Sequence, residues 1–483
     1  MSKVWHWAAI AVAAIPGAAL ADAAQSSAFK LPSNVAFNVT GGAANSDGTG
    51  IKSNTSVDIQ TAAGDAKFSG SFTSTPPSPG LPADQMERKL GVDSTLHGPA
   101  GVTVSVNASS EVQDTRQNGM LVPAGLSATS ATTQQNTASA SATAHPLPDV
   151  GVTMGVSQSH SVTAQDNQSV SGARQSNTVT ADDRQVFASA DWNTPIPSVT
   201  LSAGAKSENM RVSSRGMGDD ADQYRYATPN ASATAKLWDG AQMKLSSEDA
   251  VSPVNPYDFA ALAQADPDNP DMRVEPNREW RNQASLTQSF DNGGTLSATV
   301  TQARIESTTE LALTPDGATA PASVSGGTRQ QIDANLSMPL SGIGLPDTTL
   351  SSQATLRQSR IRDPLTGQSR RVSGETPRDA GVKLTHKDDR HHLEWGVTGN
   401  LATAQNFYQP AQVTALRTDS GVGAFITYKP GKYVVSLNAN GLIGGTRSQT
   451  DTFYNGTRTG NVEAVNRTSD SSPLVSVSVS QKF

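Results

Sequence analysis

Residues 473–483 read Pro473-Leu474-Val475-Ser476-Val477-Ser478-Val479-Ser480-Gln481-Lys482-Phe483, a stretch in which apolar and polar residues alternate. One face carries Val475, Val477, Val479 and Phe483, and the other carries Ser476, Ser478, Ser480 and Lys482. Because successive side chains of a β-strand point to opposite faces, the alternation predicts a sheet with an apolar surrounding on one side and water on the other.

The N-terminal residues predict export. Residues 1–21 have a basic start at Lys3, a short apolar stretch and an A-x-A cleavage site at Ala19-Leu20-Ala21, which is typical of a signal peptide. We expect residues 22–33 to be a short periplasmic segment and 34–483 to form one β-barrel in a bacterial outer membrane. No other apolar run approaches the roughly 20 residues of a transmembrane helix.

The composition excludes several classes of site. The chain has no cysteine, which rules out disulfides, catalytic cysteine and zinc–thiolate sites. A net charge of -7 argues against nucleic acid as a partner. Hydrophobic residues at 36% and charged residues at 16% leave two interpretations, a disordered Ser/Thr-rich stalk or a barrel with a polar inner wall.

The same alternation recurs along the chain. A disordered stalk has no physical reason to keep such a pattern, so the recurrence favours β-strands. Examples are residues 102–108, 150–156, 199–206, 231–237, 296–301, 393–398 and 433–441. A soluble β-sandwich or β-helix stays open as an alternative. A sandwich core needs large residues, whereas the apolar face here is often Ala, Val and Gly on long, evenly spaced strands. In a bilayer no sheet edge can stay unpaired, so such strands are expected to close into a barrel.

Turn residues give the size of the barrel. Short turns such as Asp239-Gly240, Asp291-Asn292-Gly293-Gly294 and Pro430-Gly431 alternate with long polar stretches such as 251–278 and 363–378. The sequence therefore predicts an all-β fold, a transmembrane antiparallel up-and-down barrel of about 20 strands, within about 18 to 22. Short turns would face the periplasm and long loops the exterior.

Two sets of residues are expected to meet the membrane and its machinery. Val475, Val477, Val479 and Phe483 would form the signal read by the barrel-assembly machinery. Five rings that flank short turns would form an aromatic girdle at the lipid headgroups, namely Trp192, Trp238, Phe290, Tyr428 and Tyr433. The expected surroundings are outer-membrane lipid and lipopolysaccharide.

Residues 291–400 carry a resemblance to a known family. They contain Met338-Pro339-Leu340-Ser341-Gly342-Ile343-Gly344-Leu345-Pro346 and, further on, Asp363-Pro364-Leu365-Thr366-Gly367. This order of periplasmic turn, rising strand, D-P-x-T-G loop and descending strand resembles the barrel portion of TonB-dependent outer-membrane receptors. That family carries an N-terminal plug and a TonB-contacting box, which this sequence does not show. The resemblance therefore implies a relative without a plug.

One hairpin concentrates arginine. Arg357, Arg360, Arg362, Arg370, Arg371 and Arg378 are candidates for contact with anionic solutes or lipopolysaccharide phosphates. We find no G-x-S-x-G motif and no metal-ligand spacing, so we expect no enzyme activity, no catalytic residue, no cofactor and no metal.

The sequence thus predicts a channel for hydrophilic solutes of unknown identity. Its long loops, or residues 24–33, would fold into the lumen and narrow it. The alternatives are a barrel used for surface docking or polymer export, and a receptor that borrows a separate plug chain.

Overall fold

The computed structural model describes residues 36–482 apart from 47–49, 62–63, 76–82, 99–100, 119–125, 170–173, 197, 217–219, 266–271, 316, 318, 432 and 471–473. The expected signal peptide (1–21) and periplasmic segment (22–33) lie outside these residues. So do the expected barrel start at 34–35 and Phe483.

The described residues form β-strands almost throughout. The strands are β1 Ala36–Ser46, β2 Gly50–Thr61, β3 Gly64–Thr75, β4 Ala83–His97, β5 Thr103–Asn118, β6 Leu126–Leu147, β7 Val150–Ser169, β8 Arg174–Asn193, β9 Val199–Arg215, β10 Asp220–Trp238, β11 Ala241–Val251, β12 Arg278–Ser289, β13 Thr295–Leu313, β14 Thr319–Pro339, β15 Thr348–Arg362, β16 Ser369–Arg370, β17 Arg378–Asp388, β18 Leu393–Asn400, β19 Thr403–Tyr408, β20 Gln412–Thr418, β21 Gly421–Tyr428, β22 Tyr433–Gly444, β23 Arg447–Tyr454, β24 Val462–Asp470 and β25 Leu474–Lys482. A single α-helix among them, α1, spans Pro256–Ala265, and a 3₁₀ turn spans Ser341–Ile343.

The large sheet closes on itself. Strands β1 to β15, β17, β18, β21, β22 and β25 pair antiparallel in that order, and β25 pairs with β1 at Gly42↔Lys482 and Asn45↔Val479. The described residues thus form a ring of twenty strands, and the predicted antiparallel barrel of about 20 strands is confirmed. Strand β16 adds to β15, while β19, β20, β23 and β24 form a separate four-stranded sheet.

The connections differ between the two ends of the barrel. Short turns lie at one end, at 148–149, 239–240, 290–294 and 389–392. The connections 252–277, 363–377, 401–420 and 445–473 at the other end are long, although four connections there (β1 to β2, β7 to β8, β9 to β10 and β13 to β14) have only three to five residues. Gly240 has a φ of +73°, as the Asp-Gly hairpin predicted. Gln481, near the end of β25, pairs with Tyr433, the first residue of β22 after the short connection from β21. Strand β25 therefore ends at the short-turn end, where β1 also starts.

The outer surface of the wall is apolar. Val300, Ile332 and Leu356 lie side by side on β13, β14 and β15, and their exposed fractions are 52%, 47% and 52%. Val186 and Leu437 are similarly exposed on other parts of the ring. A wall that exposes large apolar residues around its circumference is built to face lipid.

Among the residues described, no helix is both long and apolar enough to cross a bilayer.

Ring closure can be tested with a disulfide because the native chain has no cysteine. Ala44 and Ser480 pair across β1 and β25. Paired Cα atoms lie about 4.5–5.5 Å apart, within the range that a disulfide spans. We expect Ala44→Cys/Ser480→Cys to cross-link within one chain, seen as faster migration on a non-reducing denaturing gel. Ala44→Cys/Ser352→Cys, with the second cysteine on β15, should not cross-link. Equal cross-linking of both variants would contradict closure.

Candidate functional site

The inner wall of the barrel is polar. Residues that alternate with the exposed apolar ones face the lumen, and many of them hydrogen-bond across neighbouring strands. The hydroxyl pairs are Thr143–Thr153 at 2.9 Å, Ser285–Thr299 at 2.9 Å and Thr427–Ser436 at 3.0 Å. Such hydroxyls satisfy one another and still present oxygens to water, so the wall suits a hydrated lumen.

Helix α1 lies in the mouth of the barrel at the long-loop end. Its Phe259 is 1% exposed and packs in a cluster with Met210 and Val212 of β9 and with Val179 of β8. These wall residues point inward, because they alternate with the outward-facing Val186 and Leu201 on the same strands. Helix α1 also contacts β14, five places from β9 in the ring of twenty. The helix therefore spans part of the opening.

Local sequence explains why this helix forms. The Asn255 Oδ1 accepts a hydrogen bond from the Tyr257 N–H at 3.0 Å, which caps the first turn. Pro256 occupies the first helical position, where its missing N–H costs nothing. Downstream, the Tyr224 hydroxyl donates to the Val274 carbonyl at 3.0 Å, so the returning chain is held against the inner wall.

A second segment, 363–377, also folds inward. Glu375 lies over the inner faces of β14 and β15, where its carboxylate accepts a hydrogen bond from Ser359 and pairs with Arg329 at 3.3 Å. Arg329 also forms an ion pair with Glu279 on β12. Glu279 and Glu375 are buried, so their charges are held by arginine and hydroxyl partners instead of water.

The turn at the start of this segment is organised by one carboxylate. Asp363 accepts hydrogen bonds from the Leu365 N–H at 2.9 Å and the Thr366 N–H at 2.8 Å. Burial alone would raise the pKa of Asp363. Hydrogen bonds from Thr366, Arg370, Arg458 and Leu365 outweigh that effect and hold the pKa well below its ordinary range. Asp363 therefore stays ionised at neutral pH.

Arg370 joins this turn to other elements. Its guanidinium pairs with Asp363 and, at 2.9 Å, with the Glu310 carboxylate of β13. Arg458, from the connection between β23 and β24, reaches Asp363 at 2.8 Å. Both guanidiniums lie near the Tyr408 ring of β19, with centroid distances of 4.4 and 5.6 Å. We term this cluster the mouth network. Its members are Glu279, Glu310, Arg329, Ser359, Asp363, Arg370, Glu375, Tyr408 and Arg458.

The structure divides the six arginines of the predicted anion-contacting hairpin. Arg370 is paired inside the mouth network, and Arg357 turns inward to donate to Gln331 at 2.7 Å. Arg370 is enclosed by these partners, whereas the Arg357 side chain stays 31% exposed. Arg360 and Arg362 lie an even number of residues from the outward-facing Leu356, and Arg378 pairs with Leu356 on the neighbouring strand. All three are therefore exposed on the outer face. Arg371 is exposed on the loop.

The five rings of the predicted girdle all lie beside short turns. Their exposed fractions are 46% for Trp192, 60% for Trp238, 37% for Phe290, 47% for Tyr428 and 49% for Tyr433. The Trp238 Nε1 donates to the Gln288 Oε1 at 2.7 Å. Their placement at a lipid headgroup level stays a prediction.

The predicted assembly signal lies on β25, the strand that closes the ring. Val475 and Val477 are 60% and 54% exposed, so both face outward with Leu437. The strand includes Val479, whose side chain lies outside the described part, as does Phe483. Recognition by assembly machinery stays a prediction.

Two features of the mouth were not predicted from sequence. Residues 251–278 read as a polar loop, although Asn255-Pro256 is a recognisable helix start. The acidic partners of the mouth network gave no local signal, because Glu310 and Arg370 are 60 residues apart along the chain. No group of three or more potential metal-ligating side chains occurs within the ranges described.

The chain matches no protein-family model and no curated protein by sequence. In structure it is similar to the siderophore receptor PiuA from Acinetobacter baumannii, with a TM-score of 0.65 and 12% identity over 91% of this chain and 76% of that one.

Two further solved structures agree. The copper transporter OprC has a TM-score of 0.60 and 9% identity, over 94% of this chain and 81% of that one. The ferric yersiniabactin uptake receptor FyuA from Yersinia pestis has a TM-score of 0.63 and 10% identity, over 90% and 71%. At such low identities the likeness concerns the fold. The closed ring, the short and long connections and these likenesses together show that the chain has the fold of the barrel portion of TonB-dependent outer-membrane receptors.

Proposed function

We propose that this protein is an outer-membrane transport barrel that passes hydrophilic solutes without an internal plug domain. The observation that carries the proposal is the division of the wall, apolar outside and lined with Ser, Thr and Gln inside, in a ring of twenty strands. A ring of this size encloses more space than its own side chains fill, so it leaves an aqueous lumen. Helix α1 and the mouth network narrow that lumen at the long-loop end.

The placement of the five aromatic residues at the short-turn end supports the same membrane setting. Their rings would lie at the periplasmic headgroups, and the long loops would face the exterior. The structurally similar proteins are named as receptors and transporters, which supports transport as the activity of this fold.

Planar-bilayer recordings test the proposal. We expect detergent-purified, folded protein to insert and give stepwise ion conductance, because a polar lumen admits water and ions. A heat-denatured sample of the same preparation is the control. Absence of conductance from protein that still shows heat-modifiable migration would contradict an open lumen.

A surface-docking barrel is the second candidate function. The four-stranded sheet of β19, β20, β23 and β24 favours it, because Val462 and Val465 on its edge strand are 54% and 59% exposed. The bilayer recordings separate the two functions, since a docking barrel requires no conductance.

A further inference from the structure

One hydroxyl group joins the segment that follows helix α1 to the barrel wall, and it faces two acceptors at once. The Tyr224 Oη of β10 lies 3.0 Å from the Val274 carbonyl oxygen and 2.9 Å from the Asp222 Oδ2. A tyrosine hydroxyl carries a single proton, so it donates to only one of these oxygens at a time. The second contact needs a proton from another group.

This contact holds a lid, which we define as α1 (Pro256–Ala265) together with residues 272–277. Val274 is 0% exposed, and within the described part of the chain its carbonyl accepts a hydrogen bond from Tyr224 alone. Tyr224 also belongs to the apolar cluster in which Phe259 of α1 packs against Met210 of the wall. The hydroxyl therefore ties the lid to the wall inside an apolar contact, where an unpaired oxygen is costly.

The protonation state of Asp222 decides whether both acceptors are satisfied. When Asp222 is ionised, the Tyr224 hydroxyl donates to the carboxylate, because a charged acceptor forms the stronger hydrogen bond. The buried Val274 carbonyl then faces an oxygen with no proton between them, and the lid is held less tightly. When Asp222 is protonated, its O–H donates to the Tyr224 Oη, and the Tyr224 proton is free for the Val274 carbonyl.

The charges around this contact act in the same direction. Glu275, next to Val274 in the lid, interacts electrostatically with Tyr224, so Glu275 and Asp222 repel each other across the contact when both are ionised. Neither carboxylate has an ion pair within the ranges that the structure describes.

The bases on the neighbouring strands are engaged elsewhere, since Arg278 pairs with Asp249 at 2.6 Å and Lys206 pairs with Glu208. The other titratable or charged groups on this side of the mouth are Asp183 on β8, Asp220 and Tyr226 on β10, and Asp258 and Arg273 on the lid.

Asp258, in the first turn of α1, adds to the preference for acid. Burial raises the pKa of Asp258, although a hydrogen bond with Asn255 opposes the effect. A carboxyl group whose pKa is raised in the docked lid stabilises docking below the undocked value of about 3.9, and this contribution is lost as pH rises through the docked value.

We propose that Asp222, Tyr224 and Val274 form a proton-operated latch, in which acid fastens the lid across the mouth and deprotonation of Asp222 loosens it. The apolar cluster docks the lid in both states, so the latch shifts the balance between closed and open mouths. The consequence for transport rests on the proposed function: conductance should be lowest in acid and should rise toward neutral pH.

Amide hydrogen exchange of the lid, measured on folded, full-length protein in detergent, tests the latch without reference to transport. Asp222→Asn places an amide that donates to Tyr224 at every pH, as the protonated acid does. Tyr224→Phe removes the shared hydroxyl. Asp191→Asn is the matched control, because it makes the same change on the inner wall at the short-turn end, where Asp191 accepts a hydrogen bond from Ser202.

Variants are compared with the native protein at the same pH, so that the intrinsic pH dependence of exchange cancels. At about pH 7.5, where carboxyl groups are ionised, we expect α1 to exchange about fivefold more slowly in Asp222→Asn than in the native protein, and the difference should shrink toward about pH 4. Tyr224→Phe should exchange faster than the native protein in acid, and Asp191→Asn should match the native protein at both pH values.

Native-like exchange in Asp222→Asn at both pH values would overturn the latch, and so would native-like exchange of Tyr224→Phe in acid. Planar-bilayer recordings add a second readout, in which Asp222→Asn should keep the low acid conductance at neutral pH. A native channel whose conductance ignores pH would also overturn the proposal. If no sample conducts, the proposed transport function fails, and hydrogen exchange still decides the latch.

Discussion

Removal of α1 should raise the single-channel conductance well above that of the native protein. Val251 and Arg278 pair directly at the ends of β11 and β12, so a short Asn-Gly turn can replace residues 252–277 without disturbing the ring. The deleted residues include the apolar cluster that packs against Met210 and Val212 on the inner wall. The opening would widen, and planar-bilayer recordings would show larger conductance steps.

Point variants of α1 separate the helix from the loop that carries it. Phe259→Ala removes the largest buried side chain of the helix and should cost about 3–5 kcal/mol of docking free energy. We expect conductance that fluctuates between native and enlarged levels as the helix detaches. Tyr257→Ala is the matched control, since that ring is 40% exposed on the same helix. Unchanged conductance in both the deletion and Phe259→Ala would show that α1 does not limit passage.

Substitution of Asp363 should loosen several long loops at once. Asp363→Ala leaves the guanidiniums of Arg370 and Arg458, 8% and 7% exposed, without their shared carboxylate. Removing one partner of a buried ion pair costs about 3–5 kcal/mol. We expect faster amide hydrogen exchange in 363–377 and 401–420, measured on folded protein, with the barrel strands unaffected.

Asp389→Asn is the control for this variant, because Asp389 is exposed in a short turn at the opposite end of the barrel. If Asp363→Ala left exchange in both loops at native rates, the mouth network would not be what orders them. Faster exchange throughout the barrel would instead show a general loss of stability.

The direction of the Asp363 pKa also sets a pH dependence. Its folded-state pKa is lowered, so its stabilising contribution is fully present above the unfolded value of about 3.9 and is lost as pH falls through the folded value. We therefore expect the loops of the native protein to keep slow exchange down to about pH 4 and to loosen only in stronger acid, after correction for the intrinsic pH dependence of exchange.

Features that depend on residues close together in the chain were predicted, and features that depend on residues far apart in the chain were not. The turn at Asp239-Gly240 and the strand on either side were readable, because a hairpin depends on residues adjacent in the chain. Asn255-Pro256 is a recognisable helix start, so helix α1 itself could be predicted from the sequence. Its position in the mouth could not, because it depends on Val179, Met210 and Ala320 from three distant strands. Arg360 and Arg370 looked equivalent in the sequence, but only one of them faces outward.

The sequence by itself determined the all-β fold, the number of strands to within a narrow range, and which face of each strand is apolar. Strand periodicity is a local property, and each alternating segment carries it without reference to its partners. Only the tertiary structure decided which long loops enter the mouth and which charges neutralise one another there. Arg458 meets Asp363 across 95 residues, and no local pattern encodes a contact that arises only when the ring closes and its loops fold back together.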